Sequence, residues 1–499
     1  MRSYGLRHTR GTHPLTDVPL TDAEVCAVGG ALIVGVWLGA RGVVVWCALC
    51  AVAAMVARLG ARWVGHVRAL VVWVGLLLAI VGWALGSRAW AHTQPRQLGS
   101  YEGWAQVAAD PSPYGPGLRL TVEVEGERFD LWAYGGRRAR LAEAQAGEYL
   151  WVSGERTALG GGASARRAAV RHVVGRFELE VLGDRISGGA LDRGSNRVRA
   201  RLRWSAEHTM SAESAALFTG LVLGDDARQD AALVEAFRRS GLSHLTAVSG
   251  QNVAFVLAAA LPVLRRLRPW WRWAGTVGTV GWFMAITRFE PSVLRAGAMA
   301  VLAATSFVLG LQATAVRLLA LAVMALVIVD PLLVWSVGFW LSVGATAGVC
   351  VLSPRWHARL PGPVWLRLPL AVTLGAQVGV ALPSLLVFGR LPLVSPLANL
   401  AAVPVAGVVM LYGLPAGLLA PGLPAPLRTI VMAPNSVGTR WVAAVARVGA
   451  AAEPSPGWAL VGWTVLVLAW LVWHQRTRGR AGPPAPLDGS RPASPRVPI

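Results

Sequence analysis

The sequence predicts a polytopic α-helical membrane protein with an inserted small extracytoplasmic β-barrel domain. Two observations carry this prediction. Of the 499 residues, 54% are hydrophobic and only 15% are charged, and apolar runs of about 20 residues, the length that crosses a bilayer, recur along the chain. Between two groups of such runs lies a long segment in which apolar and polar residues alternate, as in strands with one buried face.

The N-terminal part is predicted to be a cytoplasmic tail, residues 1–23, followed by three transmembrane helices in residues 24–85. The predicted spans lie near 24–40, 42–58 and 69–85. Basic residues separate the second span from the third: Arg58, Arg62, His66 and Arg68. Because cytoplasmic loops are enriched in basic residues, the tail and this loop are expected inside. The third span then leads the chain to the outside.

Residues 86–200 are predicted to form the extracytoplasmic β domain. Strand-like patterns lie at 118–125, 129–133, 148–154 and 170–182. Period-two alternation bounded by Gly-rich turns indicates an antiparallel sheet. About five strands in roughly 100 residues favour a small barrel, of which the OB-fold is one example.

Residues 201–475 are predicted to form a second helical domain, and residues 476–499 a disordered tail rich in Pro and Arg. The apolar runs are 246–263, 273–288, 292–311, 316–329, 332–352, 369–388, 396–420 and 457–473. An amphipathic stretch at 426–448 is predicted to lie on the membrane surface.

The basic residues of the chain are all Arg, since the sequence contains no Lys, and the formal net charge is +21. The guanidinium group suits phosphate, because its planar fork pairs with two oxygens at once. Excess Arg also accumulates in cytoplasmic loops for topological reasons. Net charge alone therefore does not identify a nucleic-acid partner.

The most informative segment precedes and opens the apolar run 246–263, where it gathers His, Ser, Thr, Gln and Asn. Polar groups in lipid need an internal partner or a water-filled path. We therefore take His244, Ser249, Gly250 and Asn252 as candidates for a permeation or binding site. Helix contacts through small and hydroxyl residues are the alternative. That alternative is favoured for any single residue, and a site is favoured for the whole cluster.

Three candidates lie on later spans. Arg295 stands a few residues inside an apolar span, where a charge costs a few kcal/mol. It either meets phosphates in a pore or forms a structural pair with Glu290 or Asp330. Asp330 is itself a candidate for the path, with a capping or turn role as the favoured alternative. Asn399 either lines the path or caps or breaks a helix.

Five ordered motifs combine these residues with others. They are Leu223-Gly224-Asp225-Asp226; Ser240 to Gly250, reading SGLSHLTAVSG; Pro291-Ser292-Val293-Leu294-Arg295-Ala296; Asp330-Pro331 with Gly338 to Ser342; and Ser395 to Leu400 with Pro404. In order and spacing they resemble the ComEC-type competence channel family, which takes up DNA during natural transformation. The resemblance covers about residues 20–475.

The resemblance implies that residues 201–475 form a channel that conducts single-stranded DNA inward across a bacterial plasma membrane, with an OB-like domain outside. His244, Ser249, Gly250, Asn252, Arg295, Asp330 and Asn399 then line the DNA path. Asp225, Asp226, Ser292 and Ser342 are motif residues with structural roles. The implied partners are single-stranded DNA, the lipid bilayer, an external DNA receptor and a cytoplasmic competence helicase. The sequence leaves homo-oligomerisation open.

No catalytic residue, metal or cofactor is assigned. Many members of this family end in a metallo-β-lactamase-like domain, whose metal site needs a His-x-His-x-Asp-His cluster. The nine His of this sequence are scattered, so a hydrolase of that kind is not expected. Two alternatives remain. An intramembrane serine hydrolase at Ser249 would need a His on a neighbouring span, and no later span contains one. A small-molecule permease or exporter would have no need of an external β domain.

Overall fold

A computed structural model describes most of the chain. The described residues are 20–40, 66–225, 227–246 and 250–480. Several predictions fall outside them: the span 42–58, the candidates Asp226 and Ser249, and most of the two terminal tails. Within the described residues the protein is mostly helical, with one small β barrel near the N-terminus.

Two helices precede the barrel, α1 (Asp22–Gly39) and α2 (His66–Ala91). Helix α1 begins with a capping box, in which the Thr21 hydroxyl accepts from Glu24 N and the Glu24 carboxylate accepts from Thr21 N. The two helices approach so closely that a Cβ added to Gly35 would lie 2.1 Å from the Ala79 oxygen. Glycines therefore let the two backbones touch.

Five strands form the barrel: β1 (Gly99–Tyr114), β2 (Gly117–Val124), β3 (Glu127–Ala133), β4 (Tyr149–Ala158) and β5 (Val173–Ile186). The sheet closes in the order β1-β2-β3-β5-β4. Strands β3 and β5 are parallel, whereas every other pairing is antiparallel. Two short helices lie between strands, α3 (Gly136–Leu141) and α4 (Ala163–Ala169). The predicted small closed barrel is confirmed.

The alternating residues fill the barrel as expected. Leu120, Val122, Phe129 and Leu131 are fully buried. Strand β1 was not singled out in the sequence, because Asp110-Pro111-Ser112-Pro113 interrupts its pattern. Register shifts against β2 at Val107/Ala109 and Ala109/Ser112 accommodate this segment within the strand.

The second helical part follows the barrel. Its helices are α5 (Ala190–Glu207), α6 (Ala212–Leu223), α7 (Ala231–Arg239), α8 (Ser243–Thr246), α9 (Gly250–Leu264), α10 (Pro269–Ile286), α11 (Pro291–Val308), α12 (Ala315–Val329), α13 (Val337–His357), α14 (Val364–Phe388), α15 (Ser395–Leu419), α16 (Ala425–Ala452) and α17 (Pro456–Arg480). A 3-10 turn, Pro331–Trp335, precedes α13. Each predicted span after residue 200 coincides with one of these helices, and α17 continues into the segment predicted as tail.

Five helices in the described part of the chain are long and apolar enough to cross a bilayer: Asp22–Gly39, Leu70–Ala91, Val337–His357, Val364–Phe388 and Ser395–Gly422. Shorter apolar helices accompany them at Ala212–Leu223, Gly250–Leu264, Ser292–Val308 and Ala315–Val329. Helices α13 and α14 touch through glycines, since a Cβ added to Gly348 would lie 2.0 Å from the Gly375 oxygen.

Helix α16 contains the stretch that the sequence analysis assigned to a membrane surface. Its apolar face instead packs on the largest helical core, which α6, α7 and α15 share with it. Gly438 and Gly449 face Val409 and Ser240 closely. Packing against this core accounts for the amphipathic pattern.

Candidate functional site

Three of the candidate residues meet where α9, α11 and α13 converge. Arg295 projects from α11 and is only 4% exposed. Its Nη1 donates to Thr346 Oγ1 at 2.5 Å, and its Nη2 donates to Ser342 Oγ. Ser342 and Thr346 lie four residues apart, on one face of α13. Two hydroxyl groups on successive helical turns therefore hold the buried guanidinium group.

Gly250 completes this arrangement from the first residue of α9. A Cβ added there would lie 3.0 Å from Ala296 Cβ and 3.2 Å from Arg295 Nη2. Glycine thus leaves room for the arginine beside the helix. The neighbouring motif residue Ser292 presents its backbone oxygen 3.8 Å from the same point. We call Gly250, Arg295, Ser342 and Thr346 the Arg295 cluster.

The charge of Arg295 is not balanced by an acid among the described residues. No carboxylate there lies within ion-pair distance of it, so the predicted pairs with Glu290 and Asp330 are not formed. Its Nε is buried and has no hydrogen-bond partner in the described chain. Burying an unpaired charge is costly. The cluster is therefore chemically suited to an anion.

Asp330 lies in a different place, at the junction with the barrel. Its Oδ1 accepts from Leu332 N at 3.0 Å at the start of the 3-10 turn. Its Oδ2 lies 3.1 Å from Nε2 of His172, which precedes β5. Asp330 therefore caps the 3-10 turn, which was the favoured alternative to a role in the path, and its contacts do not include the Arg295 cluster.

Asn252, His244 and Asn399 have contacts of their own. Asn252 Nδ2 donates to the Leu221 oxygen at 3.4 Å, which ties α9 to α6. His244 is exposed and lies beside the Gly241 backbone. Asn399 Nδ2 donates to the backbone oxygen of Ser395 at 2.8 Å.

A second polar cluster surrounds Asn399 at the start of α15. Ser395 Oγ accepts from Asn399 Nδ2 at 3.1 Å and lies 3.3 Å from Gln377 Oε1 of α14. The Glu453 carboxylate accepts from the backbone N of Leu393 and Val394, both at 3.0 Å, just before α15. Sequence reasoning missed Glu453. The available signal was that no other acidic residue occurs between Asp330 and residue 480.

Asp225 belongs to a charged network between the barrel and the helices. It accepts from Arg203 at 2.7 Å, and Arg199 lies 4.0 Å away. Arg199 also donates to Asp110 of β1 at 2.8 Å, and Arg288 donates to the same carboxylate at 3.1 Å. We call this group, with its acceptor Asp110, the junction network.

The junction network determines the protonation of Asp110. Burial, the largest single influence, would raise the pKa of its carboxyl group, but the attraction of Arg199 and Arg288 and the hydrogen bonds to the carboxylate together outweigh it. The backbone N of Ala146 adds a hydrogen bond at 2.9 Å. Together these groups hold the pKa of Asp110 below its ordinary value.

The barrel carries an aromatic and basic patch on β3, β5 and the end of β1. Tyr114 and Tyr134 are 56% and 55% exposed. Trp132 forms an edge contact with Tyr114 at 6.3 Å between ring centroids, and Arg176 lies 5.4 Å from the Trp132 ring. Exposed rings beside Arg can stack nucleobases. Three carboxylates lie in the same depression as Trp132, Tyr134 and Arg176: those of Glu155, Glu178 and Glu180. They oppose a polyanion there.

Comparisons with known proteins bear on the helical part. A family model described as "Competence protein" matches residues 221–477. The chain is 27% identical over 339 residues to competence protein ComA of Neisseria gonorrhoeae, which covers 58% of this chain and 46% of ComA. It is 26% identical over 208 residues to the uncharacterized protein YcaI of Escherichia coli K12, which covers 38% of this chain and 27% of YcaI. No solved structure matches.

The matches thus span less than half the length of either relative. The family match nevertheless extends over half of this chain, and it contains the Arg295 cluster, the Asn399 cluster and Asp225. The resemblance drawn from the five sequence motifs is confirmed: the chain belongs to the competence protein family.

Proposed function

We propose that this protein is a multi-pass protein of a bacterial plasma membrane that conducts single-stranded DNA into the cytoplasm during competence. The barrel faces the outside, and the helices after it form the conducting part. An external DNA receptor delivers the strand, and a cytoplasmic helicase draws it in. Conduction requires no covalent step, so no residue is given a catalytic role.

The observation that carries this proposal is the Arg295 cluster. A buried guanidinium group without an acidic partner in the described chain, held by two hydroxyl groups, is suited to a passing phosphate. The surrounding composition agrees, since residues 241–480 contain 17 Arg and only three acidic residues, Glu290, Asp330 and Glu453. A path through such helices favours polyanions over cations.

The barrel supports the same function from the outside. Its aromatic and basic patch offers stacking surfaces beside one cation; it consists of Tyr114, Trp132, Tyr134 and Arg176. Single-strand binding of this kind tolerates any sequence and weakens steeply with salt. We propose that the barrel acts as an OB-like receiving surface for the strand.

Uptake of labelled DNA by a strain that carries variants of this protein tests the conducting role. Gly250→Leu should block uptake, because its side chain would enter the space beside Ala296 and Arg295. Arg295→Leu should reduce uptake at least tenfold by removing the cation. Gly281→Leu and Arg440→Leu are the matched controls, since a Cβ at Gly281 meets open space and Arg440 is exposed. Membrane abundance is measured for each variant.

Three results would contradict the proposal. Normal uptake by both Gly250→Leu and Arg295→Leu at normal abundance would show that these residues serve only in helix packing. Loss of all activity in His244→Ala, with hydrolysis of a peptide or ester in the wild type, would favour the serine hydrolase. Normal transformation of a deletion strain that fails to export a small molecule would favour the permease.

A further inference from the structure

Helix α5 separates its arginines onto two sides. Arg199 and Arg203 point into the protein, where they pair with Asp110 and Asp225 of the junction network. Arg197 and Arg201 are exposed on the other side. The four arginines stand at alternate positions in the sequence. Because an α-helix repeats every 3.6 residues, Arg199 and Arg203 lie on the inner side and Arg197 and Arg201 on the outer side.

The exposed side of α5 is a continuous stripe. It consists of the partly buried Trp204 and of four exposed residues, Arg193, Arg197, Arg201 and His208. Their spacing of three or four residues keeps them on one face of the helix, and at 1.5 Å per residue the stripe is roughly 22 Å long. We call these residues the α5 stripe. Helix α5 is not among the apolar helices that could cross a bilayer.

Of the three cations of the α5 stripe, Arg193 donates to the Gly188 oxygen at 2.6 Å, whereas Arg197 and Arg201 are available for an external partner. Arg197 and Arg201 form no ion pair with any described residue. The two acids of α5 are engaged elsewhere. The Glu207 carboxylate pairs with Arg228, and Asp192 packs beside Gly147 of the barrel.

The C-terminal end of the stripe carries a stacked pair of rings. His208 lies parallel to Trp204, with centroids 4.1 Å apart and planes 23° apart. Arg428 of α16 lies over the Trp204 ring at 5.1 Å. His208 is exposed, so a further planar group can extend the stack.

We propose that the α5 stripe is a contact surface for single-stranded nucleic acid, with Arg197 and Arg201 on successive phosphates and the Trp204–His208 pair stacking a base. The combination of free cations with an extendable ring stack matches how single strands are bound without sequence preference. An anionic lipid surface would use the cations but has no partner for the stack. This inference rests on the proposed function and names a second contact for its substrate.

Binding of a fluorescent oligothymidylate to the purified full chain in a zwitterionic detergent tests the stripe. Anisotropy is measured as a function of salt. Each phosphate contact contributes about 0.7 to the salt slope for single strands, so Arg197→Ala with Arg201→Ala should lower the slope by about 1.4. The lysine double variant should restore the slope. Trp204→Ala should weaken binding about fivefold or more at an unchanged slope.

Arg265→Ala with Arg266→Ala is the control for loss of two exposed charges, and it should leave the slope unchanged. Equal slope loss in the control and the α5 variant would overturn the inference, as would wild-type behaviour of the α5 variant. Retained oligonucleotide binding with lost association to anionic vesicles would assign the stripe to lipid and likewise overturn it. Failure of the wild type to bind any single strand would instead contradict the proposed function itself.

Discussion

Two buried arginines show how differently the same side chain is used. Arg199 is buried with acids around it: Asp110 accepts from it, and Asp225 lies 4.0 Å away. Arg295 is buried with hydroxyl groups around it, and no acid of the described chain compensates its charge. The first arginine fixes the fold, because its charge is already satisfied. The second retains attraction for an anion.

Arg295→Lys separates charge from geometry at this site. The guanidinium group reaches Ser342 and Thr346 with two nitrogens, whereas an ammonium group is a single point that reaches one of them. We expect partial DNA uptake by Arg295→Lys, between wild type and Arg295→Leu. Wild-type uptake by the lysine variant would show that only charge matters. Uptake as low as in the leucine variant would show that the planar fork is required.

At the scale of elements, glycine decides which helices can touch. In α1 with α2 and in α13 with α14, a Cβ on an interfacial glycine would lie about 2 Å from a backbone oxygen of the other helix. Gly35 and Gly39 lie four residues apart, and so do Gly344 and Gly348. Their partners Gly82 and Gly86, and Gly375 and Gly379, repeat that spacing. This is the small-residue spacing that lets membrane helices approach closely.

Gly348→Ala tests this contact with a single methyl group. The methyl would overlap the Gly375 oxygen, and forced overpacking typically costs about 1–3 kcal/mol. We therefore expect a lower midpoint of thermal unfolding for the purified protein. Gly281→Ala on α10 is the control, because its methyl meets open space and alanine favours helix over glycine by up to about 1 kcal/mol. Equal midpoints for the two variants would argue against a tight α13–α14 contact.

The elements were largely predictable, and the contacts between them were not. Apolar runs predicted the apolar helices after residue 200, an amphipathic pattern predicted α16 but with the wrong placement, and alternation predicted β2 to β5. Strand β1 was not predicted, because Pro111 and Pro113 break its alternation of apolar and polar residues. The strand forms because it pairs with β2 and β4, which are distant in sequence. Gly250, Arg295 and Ser342 were individually visible, but only the packing of α9, α11 and α13 brings them together. Thr346 and Glu453 carried no local signal of their contacts.

At the scale of the whole molecule, the barrel and the helices are joined by polar contacts. The junction network connects β1 to α5 and to the end of α10, and His172 meets Asp330 at a second point. The loop before β4 also contributes, since Asn196 Nδ2 of α5 donates to the Ala146 oxygen of that loop. Charge pairing therefore contributes to the orientation of the barrel on the helices.

Asp110→Asn should loosen this junction. The substitution leaves Arg199 and Arg288 without their shared carboxylate, and breaking a buried pair costs roughly 3 kcal/mol. Because the folded-state pKa of Asp110 lies below its ordinary value of about 3.9, its carboxylate stabilises the wild type above about pH 4. That stabilisation is lost as the pH falls through the lowered pKa. Limited proteolysis between barrel and helices should therefore accelerate for Asp110→Asn at pH 7, and for the wild type only in acid.

Cysteine labelling of intact cells tests the overall orientation. In a variant without its native cysteines, an impermeant thiol reagent should modify Arg166→Cys on the barrel and spare Arg268→Cys before α10. Both side chains are exposed in the structure, so a difference reports the side of the membrane. Labelling at position 268 without labelling at position 166 would show that the protein has the opposite orientation in the membrane.

The backbone-to-backbone contacts of α1 with α2 and of α13 with α14 also restrict how this protein can move. Carbonyl oxygens lie against glycine Cα atoms at these contacts, so no side chain can change rotamer to let the two helices shift. We therefore expect each helix pair to move as one rigid unit. Helices can shift relative to each other more easily where side chains mediate their contact. Between α9 and α11 that mediator is the long arm of Arg295 beside Gly250. If single-stranded DNA passes between these helices, as we propose, it would gain room by displacing the Arg295 side chain while the two glycine-mediated helix pairs keep their geometry.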